Sequence, residues 1–152
     1  MSDASRHDTD FYAWTREQAD LLRTGRLAEA DIANIAEEIE SMGRSEKREL
    51  VNRLAALLAY LLKWQVQPAL RGNSWRLTIR EQRAQLSELL KDNPSLAPLL
   101  PEALATAYRF ALLTAQRETG LSETAFPAAS LWTIEEAMAA GFLPEEAPAS
   151  DG

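Results

Sequence analysis

Between Ser45 and Gln67 the chain sets Leu50, Leu54, Leu57, Leu58, Leu61, Leu62 and Trp64 around about half the circumference of one helix. A helix apolar over so wide an arc must be covered on several sides, which predicts the core of a helical bundle. Pro68 sets its end, because proline disfavours helical backbone in the residue before it and has no N–H to donate.

The rest of the chain repeats the helical period, and no alternating strand pattern interrupts it. A first helix is expected from about Asp10 to Thr24, capped by Asp8, Thr9 or Asp10 and stopped by Gly25. A second begins near Asp31 and carries a narrow apolar stripe of Ile32, Ile35, Ala36, Ile39 and Met42. Gly43 ends or bends it, and Ser45 caps the long third helix. After the turn Arg71-Gly72-Asn73, Ser74 caps a fourth helix reaching about Lys91, where Asp92-Asn93-Pro94 breaks it. The fifth starts between Ser95 and Pro101 and ends at Gly120. Its alanines 103, 107, 111 and 115 form a smooth face for close packing. Thr133-Ile134-Glu135-Glu136 has the capping-box pattern of a short sixth helix that stops at Gly141.

The expected architecture is therefore all-α: a mostly antiparallel bundle of about five helices, with a long central third helix and a short C-terminal one. A chain of 152 residues with a 46% hydrophobic share can bury such a core as one domain, placed here at residues 10–143. Residues 1–9 and 144–152 are expected to be a disordered N-terminal segment and tail.

Composition removes several chemistries. With no cysteine there is no disulfide, thiolate metal site or cysteine nucleophile, and His7 is the sole histidine. A metal would have to be a hard ion on oxygen ligands. The net charge of −7 repels polyanions, so nucleic acid is disfavoured as a partner. The longest apolar run, Leu54 to Leu62, is far shorter than the roughly 20 residues that span a bilayer, so no membrane is expected and the cytoplasm is the default location.

Several blocks, in order, resemble a bacterial family catalogued as domain of unknown function 29. They are Asp10-Phe11-Tyr12-Ala13-Trp14, the segment Ile35-Ala36-Glu37-Glu38-Ile39-Glu40-Ser41-Met42-Gly43, Leu61-Leu62-Lys63-Trp64-Gln65, Ser74-Trp75, Pro94-Ser95-Leu96 and Glu118-Thr119-Gly120-Leu121. The resemblance implies an all-helical fold and brings no activity, ligand or catalytic residue with it. Members of that family often carry histidine where this chain has Tyr60, which argues against a histidine-based mechanism here.

Three constellations can carry chemistry. Glu37, Glu38 and Glu40 are the candidate metal site. Glu37 and Glu40 share one flank of their helix and Glu38 lies on the other, and carboxylates a turn apart can hold hydrated Mg²⁺ or Mn²⁺. The plainer reading is a solvated flank. Arg76, Arg80 and Arg83, at i, i+4 and i+7, with Arg71 upstream, are candidates for binding an anion; structural ion pairing is the plainer alternative. Tyr60, Trp64 and Trp75 are candidate pocket residues, able to stack a base or sugar or simply to serve as core.

No phosphate loop, nucleophile elbow or helical histidine pair is present. The function expected first is a non-enzymatic helical interaction module, without cofactor, that binds a protein partner or itself. The wide apolar arc of the third helix adds support. The alternative is a Mg²⁺- or Mn²⁺-dependent phosphoester or nucleotide hydrolase, with the glutamates on the metal and the arginines on the phosphate.

Overall fold

Asp10 opens the first well-capped helix of the chain: its carboxylate accepts the Ala13 N–H at 3.1 Å, satisfying one of the donors a helix start leaves without a partner. A computed structural model describes residues 3–145, with side chains from Arg6 onward. Among the described residues there are six α-helices and no strand: α1 (Asp3–Thr9), α2 (Phe11–Arg23), α3 (Ile32–Val66), α4 (Asn73–Asp92), α5 (Leu100–Thr119) and α6 (Ile134–Met138). The all-helical expectation holds. The contacts gather into two units, one up to Glu46 and one from Lys47.

The unit up to Glu46 contains α1, α2 and the first turns of α3. Trp14, Gln18 and Leu21 are its buried side chains on α2. Gly25 supplies the left-handed stop after α2 with φ of 74°. Residues 3–9 are helical where disorder is expected, and the cause is tertiary. His7 lays its ring against Trp14 at 4.5 Å and Phe11 at 5.3 Å between centroids, and its Nε2 meets Glu38 at 2.7 Å. Such contacts override the weak helix preference of a short polar segment.

Gly43 neither ends nor breaks a helix. The second and third helices expected from the sequence are one, α3, because glycine inside a helix costs only about 1 kcal/mol against alanine. Ser45 accordingly caps nothing; its hydroxyl donates back to the Ser41 carbonyl at 3.0 Å.

In the unit from Lys47, the later turns of α3 sit among α4, α5 and α6. Leu50, Leu54, Leu57, Leu58, Leu61 and Leu62 are each 0% exposed. Ile79 and Leu86 of α4 and Ala103, Ala107, Ala111 and Ala115 of α5 join the same core, closed by Phe126, Trp132 and Ala137. A methyl at every fourth position of α5 lets its backbone approach closely. Ser74 is not the cap of α4, which begins at Asn73 without a side-chain cap. α6 starts as its sequence predicts: the Thr133 hydroxyl accepts the Glu136 N–H at 3.1 Å and the Glu136 carboxylate accepts the Thr133 N–H at 3.2 Å. Beyond Gly141, residues 142–145 have no regular structure; the rest of the expected tail, 146–152, and residues 1 and 2 lie outside the described residues.

Candidate functional site

The three glutamates of the candidate metal site are pulled to two sides of α3. Glu37 and Glu40 face Arg44, at 3.1 and 3.9 Å, while Glu38 turns to His7. Both Glu37 and Glu40 are well exposed. Among the described residues no group of three or more His, Asp or Glu side chains is placed to hold a metal. Asp31, next to this segment, is also committed: Trp14 donates its indole N–H at 3.2 Å and Asn34 its amide at 2.7 Å. Those hydrogen bonds, Asn34's first, hold the Asp31 carboxyl below the usual range despite some desolvation.

The same stretch of α3 presents an apolar face to solvent. Ile32, Ile39 and Met42 are 53%, 58% and 62% exposed, Ala36 is also exposed, and Ile35 is half-buried. Residues 32, 36 and 39 fall at i, i+4 and i+7, so they make one continuous strip. Glu37 and Glu40 border it on one side and Glu38 on the other. This unit is also the acidic part of the chain: residues 1–46 hold 11 acidic and 5 basic side chains, a net −6. From residue 47 onward there are 12 acidic and 11 basic, a net −1.

The arginine stripe lies in the second unit. Arg76, Arg80 and Arg83 line one open cleft of about 500 Å³, with Ile79, Met138 and Leu143 as apolar walls. Arg83 is the buried member, 7% exposed. Its Nε donates to the Ala137 carbonyl at 2.8 Å and its Nη2 to the Phe142 carbonyl at 2.7 Å, tying α4 to α6 and to the segment just past Gly141. Burial lowers its pKa from the ordinary arginine value, though a guanidinium stays charged at neutral pH. Among the described residues no carboxylate pairs with Arg76, Arg80 or Arg83. Arg71 does not line this cleft. It donates from Nε to the Trp64 carbonyl at 2.6 Å, with its guanidinium 5.2 Å from the Trp64 ring centre.

Cations occupy the aromatic faces. Lys63 Nζ sits 4.0 Å from the Tyr60 ring centre and 5.1 Å from that of Trp75, and pairs with Glu118 at 2.8 Å. Arg76 joins Arg71 on Trp64, also at 5.2 Å. Tyr60, Trp64 and Trp75 therefore form two cation–aromatic clusters, and a base or sugar would have to displace a cation to stack there.

His7 falls in a segment expected to be disordered, and nothing in the sequence marks a role for Lys63. A helical period puts Lys63 beside Tyr60, but its third partner, Glu118, is 55 residues away and has no local signature.

These geometries define an all-helical protein with an exposed acidic and apolar helix face and a separate arginine-lined cleft. The chain belongs to the family of domain of unknown function DUF29, whose model matches residues 7–143. No curated protein and no solved structure matches it.

Proposed function

We propose that this chain is a non-enzymatic interaction module whose face on the first turns of α3 docks a basic amphipathic helix of a partner protein. The observation that carries the reading is the exposed strip of Ile32, Ala36, Ile39 and Met42 beside glutamates on both flanks. Large aliphatic side chains in water favour a covering surface by about 25 cal/mol per Å² of apolar area removed. The net −6 of residues 1–46 selects a positively charged partner and steers its approach. A helix laid along a helix fits anchors spaced at i, i+4 and i+7.

The support is not the one the sequence suggests first. The wide apolar arc from Leu50 to Trp64 is covered within the chain's own second unit and offers nothing to a partner. The narrow stripe upstream is the face left open. The reading places the chain in the cytoplasm. No described helix is long and apolar enough to cross a membrane, and a chain without cysteine gives up no disulfide in a reducing compartment.

Titration of a fluorescein-labelled leucine–lysine amphipathic peptide, followed by anisotropy, tests this. Binding should weaken with salt and be lost in Ile39→Asp, whose circular dichroism should match the parent. No binding at low salt, or binding unchanged in Ile39→Asp, rules the docking face out. Sedimentation alongside decides the occupant: a dimer that Ile39→Asp dissociates would put a second copy on the face in place of a basic partner.

A further inference from the structure

Arg83 is an unusual element of this fold. Burying a charge is costly unless it is paired, and its partners are two neutral carbonyls, of Ala137 and Phe142. A guanidinium carries five N–H donors, of which these bonds use two. The rest of the group borders the cleft, where Arg80 is exposed and Arg76 stands one turn earlier on α4. Arg80 and Arg83 thus bring two positive charges to one concavity without a counter-charge among the described residues, with Arg76 at its edge against Trp64, and Ile79, Met138 and Leu143 supply apolar lining. The chain's repulsion of anions resides mainly elsewhere, since residues from 47 onward sum to only −1.

We infer that this cleft is a binding site for a small amphipathic anion, with a carboxylate or phosphate on Arg80 and Arg83 and a short apolar body against Ile79, Met138 and Leu143. The fork of a guanidinium matches two oxygens of such a head group, and Arg83, already fixed by the two carbonyls, loses little freedom on binding. Arg80 closes on the head from the rim. The apolar wall selects against a bare inorganic ion. This assignment stands apart from the docking face, which involves neither α4 nor α6.

Calorimetry with octanoate and octyl phosphate, each below its micelle-forming concentration, tests the assignment, together with amide shifts of Ala140 and Gly141 in the cleft lining. Both anions should bind one to one and move those amides, while neutral octyl glucoside should do neither. Which head binds tighter distinguishes a carboxylate from a phosphate ligand. Arg80→Glu, on an exposed side chain without a partner among the described residues, should leave the melting temperature unchanged and weaken binding at least about tenfold. Absence of binding by both anions overturns the proposal. So does an Arg80→Glu affinity equal to the parent's, or equal affinities for inorganic phosphate and octyl phosphate.

Discussion

The Nε2 atom of His7 lies 2.7 Å from a carboxylate oxygen of Glu38, thirty-one positions along the chain, and this contact joins α1 to α3. The Glu38 hydrogen bond, assisted by Asp8, raises the His7 pKa above its ordinary 6.5. The folded protein therefore holds the proton more tightly than the unfolded chain. The resulting stabilisation is complete below the unfolded value, about 6.5, and disappears as pH rises through the folded value.

The expected outcome is a parent protein that melts higher at pH 5.5 than at pH 8 relative to His7→Ala, with the gap closing at the higher pH. Histidine proton shifts followed by NMR should give a midpoint above 6.5 in the parent and a lower one in Glu38→Gln. Equal midpoints in the two proteins would remove the Glu38 contact as the cause.

Gly43 is helical, and a methyl placed on it would meet nothing within 4 Å. Gly43→Ala should thus stabilise the protein by about 0.5–1 kcal/mol through the lost freedom of the unfolded backbone. Gly120 is the opposite case: it closes α5 at φ 72°, so Gly120→Ala should destabilise by about 1–2 kcal/mol. Thermal melts of the pair measure both signs.

Leu58 and Ile39 both lie on α3, one 0% and the other 58% exposed. Leu58→Ala should cost about 2–5 kcal/mol in denaturant unfolding, and Ile39→Ala less than about 0.5 kcal/mol. A cost for Ile39→Ala near that of Leu58→Ala would mean that the upstream strip is covered in solution.

Removing the Arg83 guanidinium strands the Ala137 and Phe142 carbonyls and opens a void beside Ile79. Arg83→Ala should destabilise by about 2–4 kcal/mol, and Arg83→Lys should recover only part, because an ammonium on a flexible stem lacks the planar fork that spans two carbonyls. Urea midpoints for the three proteins read this order.

Much of the fold is legible locally. The Thr133–Glu136 box, the Asp10 cap and the left-handed Gly120 stop all depend on residues within a turn of one another, and each forms as its sequence predicts. The Leu50–Leu62 arc is legible because a half-apolar helix has only one place to go. Continuity through Gly43 is not, since a mid-helix glycine and a terminating one differ by about 1 kcal/mol, which neighbouring turns easily outweigh. The helix at residues 3–9 is not legible, because the His7 contacts that hold it, with Phe11, Trp14 and Glu38, are tertiary.

The candidate sites divide in the same way. Periodicity alone places Arg76, Arg80 and Arg83 together. That Arg83 is tethered to carbonyls 54 and 59 positions away, and thereby kept from a carboxylate, depends on tertiary structure that no spacing reveals. The glutamates behave as their helical angles dictate, with Glu38 parted from Glu37 and Glu40; the partners that claim them, His7 and Arg44, are visible only in three dimensions.

The chain's four tryptophans fall unevenly: Trp64, Trp75 and Trp132 lie beyond Lys47, and Trp14 alone lies before it. Trp14 touches the His7 ring edge-on at 4.5 Å, a distance at which a protonated imidazole can accept an electron from an excited indole. With the other three replaced by phenylalanine, the protein would carry its own optical gauge, dim while α1 sits on α2 with His7 charged and brighter once that proton leaves or the helix lifts away.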